Sequence, residues 1–259
     1  MLTTQSKYYC LADTVFYMES RCVVVETEAL KPFQIEEVTP DYRLYIDFAE
    51  DAEETNDAYG YASIRRNEDK IWLSINKSRM KTVSDWQIFV ILPLIRLLLE
   101  RGILVLHSSY VIHDGKAILF SGDCGCGKST QASLWEQNRQ AEIINGDRSL
   151  VYCRDGKVYA GGHFHCGTSG IRKNKSAELK AIVLLSQSIE NEVSFPKGIE
   201  SFQKILSQCA YDVEKREEIE MATQLVAQLV QNARVLKFSC RKDVSAVEAL
   251  ESVILQSGN

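Results

Sequence analysis

The sequence predicts an α/β protein in two parts. A small β-rich N-terminal unit covers residues 1–83, and a mixed-sheet domain built round a glycine loop covers 84–259, led by a helix at 84–101. Three observations carry this. The text before residue 80 is rich in β-branched and aromatic residues broken by polar spacers. The stretch "SGDCGCGKST", residues 121 to 130, fits G-x-x-x-x-G-K-[ST] between an apolar run and a helical pattern. Beyond it, apolar strands alternate with helical segments, and two Asp-Gly pairs mark tight hairpins.

In chain order, "SKYYCLA", "CVVVET", "YRLYIDF", "YGYAS" and "KIWLSIN" read as strands. The acidic run "AEDAEETNDA" between them reads as a solvated loop. Ser84 and Gln87 form a capping-box pair and Gly102 supplies a stop, so the apolar text between them reads as a buried helix kinked near Pro93. In "ILVLHSSYVIHDGKAILFSG" two strands flank Asp114-Gly115, which places the strand feeding the glycine loop antiparallel to the one before it. "KSTQASLWEQ" then reads as a helix offering Ala132, Leu134 and Trp135 to the core. The strand "AEIINGD" leads to a hairpin turning at Asp155-Gly156 and a loop, "GGHFHCGTSGIRKNKS". The strand "LKAIVLL", helices around 200–211 and 215–232, the strand "ARVLKFSC" and a helix from about Ser245 complete a mixed sheet.

The glycine loop is the strongest chemical signal. Gly122, Gly125 and Gly127 let successive amides turn inward as an anion nest, because no Cβ blocks positive φ or the approach of phosphate. A helix beginning at Lys128 aims its positive end at the same anion. Residues Gly122, Asp123, Cys124, Gly125, Cys126, Gly127, Lys128, Ser129 and Thr130 are therefore the expected nucleotide-binding set. Lys128 reaches the outer phosphates and the Ser129 hydroxyl is a Mg²⁺ ligand. Asp147 comes 19 residues after Lys128, enough for the helix and one strand, so it emerges beside the loop. There it can serve as a Mg²⁺ ligand or take the proton of an attacking hydroxyl.

A histidine-bearing strand (Leu106-His107), the hairpin into "GDCGCGKST" and the early "NGD" together resemble the HPr kinase/phosphorylase catalytic domain. That domain is related to the nucleotide-binding half of phosphoenolpyruvate carboxykinase. The resemblance covers about residues 100–188, more loosely the C-terminus, and leaves out the first 80. It implies ATP and Mg²⁺ as cofactors, Asp147 as the first member of a paired "DD", and His107 as the histidine near the reaction centre. The second Asp of that pair is Arg148 here. A signature for docking HPr is absent, as are the residues a carboxykinase uses for oxaloacetate.

The expected activity is an ATP-dependent transfer of phosphate to a hydroxyl, by resemblance a serine in a protein, a peptide or free. Asp147 is the base, while His107 or the 163–173 loop positions the acceptor. Arg172 and Lys173 are candidates to neutralise the moving phosphoryl group. His163, His165 and Cys166 lack a fourth ligand for a metal and are expected to border the acceptor site. Two alternatives stay open: an ATP-binding sensor that transfers nothing, and a reverse phosphorylase of phosphoserine. ATP versus GTP and a homo-oligomeric state also stay open.

A net charge of −5 and a pI near 5.5 argue against a nucleic-acid partner. The longest apolar run, Ile88 to Ile95, is too short for a bilayer, so no membrane partner is expected. Eight scattered cysteines, and an N-terminal text without basic and apolar leader regions, lead to the expectation of reduced thiols in a cytoplasm.

Overall fold

A computed structural model describes residues 5–49 and 55–255. Residues 50–54, half of the acidic run "AEDAEETNDA", lie outside the described residues. The described chain is mixed α/β and divides into two compact units, residues 1–97 and 98–259.

The first unit holds strands β1 (Gln5–Leu11), β2 (Thr14–Ser20), β3 (Val24–Val25), β4 (Gln34–Ile35), β5 (Tyr42–Ala49), β6 (Ala62–Asn67), β7 (Lys70–Asn76) and β8 (Val83–Ser84). Six of them form a sheet in the order β4-β1-β2-β5-β7-β6. The period-2 pattern is plain in β2, where Thr14, Phe16, Met18 and Ser20 are buried and the residues between them half-exposed. Helix α1 (Asp85–Ile91) packs Phe89 edge-on against Tyr9 and Phe16. Its capping box forms as the sequence predicts, with the Ser84 hydroxyl accepting from the Gln87 amide. The expected kink is a full break: Leu92 is extended before Pro93, and a separate helix α2 runs over Leu94–Glu100. The strand β2 went unread, and "CVVVET" supplies only a two-residue strand.

The second unit contains β9 (Ile103–His113), β10 (Lys116–Ser121), α3 (Lys128–Arg139), β11 (Glu142–Asn145), β12 (Arg148–Arg154), β13 (Lys157–Gly162), β14 (Ser176–Gln187), β15 (Glu192–Ser194), α4 (Gly198–Leu206), α5 (Arg216–Asn232), β16 (Val235–Cys240) and α6 (Val244–Leu255). Both expected hairpins are present. Asp114 and Gly115 take φ of 48° and 71°, and Asp155 and Gly156 take 51° and 75°, as a tight I′-like turn requires. Two long strands organise the unit. β9 pairs with β12 along its first half and with β10 and β11 along its second. β14 pairs with β13 at its start, then runs parallel to both β10 and β16. Pairing therefore closes a ring, β9-β12-β13-β14-β10.

A core of Phe120, Trp135, Val183, Phe238 and Leu250 fixes α3 and α6 against this sheet. A bidentate Arg139–Glu251 pair at 2.6 and 2.7 Å joins the two helices. Helix α4 stops at Leu206 rather than near 211, because the next residues are captured by β9. His107 N–H donates to Gln208 O and Ala210 N–H to Val105 O, both at 2.9 Å. No helix among the described residues is long and apolar enough to cross a membrane.

Candidate active site

The loop between β10 and α3 owes its shape to glycine. Gly122, Gly125 and Gly127 have φ of 143°, 79° and 109°. A Cβ on Gly122 would stand 2.9 Å from the Leu185 carbonyl oxygen and 3.0 Å from Cys126 Sγ. Gly127 is the N-cap of α3 and offers no side chain to the first amides of the helix. Those donors face the loop without an intrahelical acceptor, the arrangement that draws an anion. Lys128 is buried, and its ammonium donates to the carbonyls of Gly122 (2.8 Å) and Asp123 (3.2 Å). It thus folds back over the loop, where an incoming phosphate would meet it. Ser129 and Thr130 are exposed at the first turn. Gln187 Nε2 steadies the tip by donating to Gly125 O at 2.5 Å. Cys124 is exposed. Burial pushes the Cys126 thiol up.

Asp147 and His107 sit level with the end of β10 that feeds this loop, where Ser121 pairs with Ser108, the neighbour of His107 on β9. Asp147 immediately precedes β12, and Arg148 is the register partner of His107. The Asp147 carboxylate has His107 Nε2 3.5 Å from one oxygen and Arg148 Nε 3.5 Å from the other. Its backbone is fixed from two sides. Asp147 O accepts from Ser108 N–H at 3.0 Å, and Asp147 N–H donates to Asn145 Oδ1 at 2.9 Å. His107 in turn lies against the strand that feeds the glycine loop, since Ser121 Oγ donates to His107 O at 2.9 Å. A cleft lined by Val105, His107, Asp147, Arg148, Gln208 and Cys209 opens here.

The 163–173 loop closes over the same turn. Asn145, fully buried, donates to His163 O (2.6 Å) and His165 O (2.8 Å) while accepting from the Asp147 and Arg148 amides. Gly167 (φ 55°) lies so near Asp147 that an added Cβ would come within 3.0 Å of the Asp147 Cβ. His163 is buried and accepts from His165 N–H through Nδ1, so its proton sits on Nε2, which has no partner among the described residues. Burial holds it well below the usual histidine range, with His165 and Arg148 adding to the shift. Burial and Arg148 lower His165 as well. Arg172 bridges backbone-to-backbone with Asn145, at the margin of this turn. Lys173 and Lys175 are drawn away from it: both pair with Glu142, at 2.9 and 2.7 Å, and hold that carboxyl below its usual range.

The sequence reading missed Asn145 and Gln208. Asn-Gly-Asp announced a turn, yet the clasp depends on a loop 18 residues away. Gln208 gave no signal; it donates to Asp123 Oδ1 at 3.2 Å and lines the clefts beside both the glycine loop and Asp147. Among the described residues no group of three or more His, Cys, Asp or Glu could hold a metal ion. Ser129 and Asp147 offer hard oxygens, which suit a Mg²⁺ that keeps waters and arrives with phosphates.

No protein-family model matches the chain, and no curated protein matches it. Among solved structures the chain is similar to the Hpr(Ser) kinase/phosphatase from Coxiella burnetii, at 10% identity over 59% of this chain and 93% of that one. The TM-score is 0.31, a distant likeness that carries no functional argument.

Proposed function

We propose that this chain is an ATP-dependent phosphotransferase acting on a hydroxyl acceptor, a serine in a protein, in a peptide or free. One observation carries the reading: a glycine loop that ends in an uncapped helix start with a buried lysine folded over it, joined through β9 to a carboxylate flanked by a histidine. ATP phosphates would occupy the nest, with Lys128 exchanging its two loop carbonyls for phosphate oxygens. Mg²⁺, held by Ser129 and Asp147 beside the phosphates, would supply charge neutralisation. Asp147 would take the proton from the acceptor hydroxyl as its oxygen attacks the γ-phosphorus and the bond to the β-phosphate oxygen breaks, releasing ADP. His107, with Nε2 3.5 Å from Asp147 Oδ1, would orient the carboxylate. Arg172, whose Lys173 and Lys175 neighbours are committed to Glu142, would clamp the moving phosphoryl group. Positioning and electrostatics do most of the work.

A screen with γ-labelled ATP against serine, HPr-like proteins and serine peptides tests this, with Asp147→Asn alongside. Label transfer by the wild type and none by the variant is expected. An acceptor labelled equally by both would remove Asp147 as base. Tight ATP binding with no transfer to any acceptor would favour a sensor, the reading to which Arg148, in place of a second carboxylate, lends weight.

A further inference from the structure

We infer that Arg148 is the anchor for the acceptor, gripping a carboxylate that the acceptor carries next to its reacting hydroxyl. The inference rests on the proposed phosphotransfer and narrows its substrate to free serine or a serine at a peptide C-terminus.

Arg148 stands at an unusual place for a cation, directly after the carboxylate proposed as base and inside the same cleft. Its side chain is 40% exposed, and its contact with Asp147, 3.5 Å from Nε, is longer than a hydrogen bond. Among the described residues its two terminal nitrogens make no hydrogen bond. A guanidinium with a free fork is built for bidentate capture of a planar carboxylate.

The nucleotide is not the natural recipient. Arg148 lies on β12 and the glycine loop follows β10, with β9 between them, so two strand spacings, roughly 10 Å, separate their backbones. Lys128 and the loop amides already face the nucleotide's phosphates. Arg148 therefore lies beyond Asp147, on the side from which an acceptor approaches. Among the described residues Asp147 is also the only carboxylate lining that cleft, and without Arg148 it would repel an anionic acceptor.

Geometry sets the spacing of the ligand. A hydroxyl bonded to Asp147 and an anion bonded to Arg148 must lie within a few ångströms of each other, since the two protein groups are 3.5 Å apart. A serine with a free carboxyl meets that spacing. An internal serine, whose carboxyl is tied in an amide, does not.

The test uses the full chain loaded with Mg·ADP, with binding read by saturation-transfer NMR. The probes are L-serine, L-serinamide, and Gly-Gly-Ser as free acid and as amide, each up to high millimolar concentration. At least one acid is expected to bind about tenfold or more tighter than its amide, as loss of a charge-assisted pair implies. Which acid binds identifies the source, free amino acid or peptide end. Arg148→Gln should erase the acid preference and leave Mg·ADP affinity, titrated separately, unchanged; Arg148→Lys should restore part of it. Equal binding of acids and amides, no binding of either acid, or a preference that survives Arg148→Gln overturns the inference. Failure of the wild type to bind Mg·ADP strikes the phosphotransfer reading instead, and the acid preference is read independently of it.

Discussion

The Asp147 backbone is locked from both sides, by Ser108 N–H on one strand and Asn145 Oδ1 in the turn. Replacing Asp147 with Asn keeps the size and removes the proposed base. Transfer should fall by about 10²–10⁴-fold, the usual yield of a positioned base, while ATP affinity measured by calorimetry stays within a few-fold. Gly122 is the second decisive residue. Gly122→Ala forces a Cβ onto the Leu185 carbonyl at a φ of 143° that L side chains rarely adopt. Strain of about 1–3 kcal/mol is expected in urea unfolding, together with loss of nucleotide binding. These positions were legible in sequence because their spacing is local: eight residues make the loop motif, and a helix and a strand separate it from Asp147. Arg172 and Arg148 could be named from sequence, but their roles depend on which neighbours are already paired, and that is settled only in space.

At the scale of elements, the hairpins at Asp114-Gly115 and Asp155-Gly156 were readable because the turn chemistry lies in two adjacent residues. The end of α4 was not, since β9 captures residues 208–210 across a hundred positions of sequence. The 163–169 loop is the element on which the site most depends. Asn145→Ala would strip two hydrogen bonds from it and two more from the Asp147–Arg148 turn, at a cost of roughly 2–4 kcal/mol in a denaturant midpoint series. The same loop sets a pH response. His163 and His165 resist protonation when folded, whereas unfolded imidazoles take a proton near 6.5. Acid therefore favours the unfolded chain, and stability is expected to fall as pH drops below about 6.5. The depressed carboxyls of Glu142 and Glu251 add their loss only further down, below their ordinary 4.5. His163→Gln should flatten the slope between about pH 6.5 and 5 in thermal melts at stepped pH.

Across the whole molecule, the mixed α/β character followed from strand and helix periodicity, and the antiparallel entry into the glycine loop followed from one Asp-Gly pair. The closed pairing of β9, β12, β13, β14 and β10 did not follow, because strand order depends on pairings far apart in sequence. The ring puts the glycine loop, after β10, and Asp147, before β12, on either side of β9. If nucleotide binds there, it stabilises the folded chain by mass action, about 2.7 kcal/mol at a hundred times its dissociation constant. The most direct measurement is a calorimetric titration of Mg·ATP into the wild type and Lys128→Ala. The account predicts saturable one-site binding, weakened at least tenfold in the variant. No binding by the wild type, or equal binding by both, would contradict it.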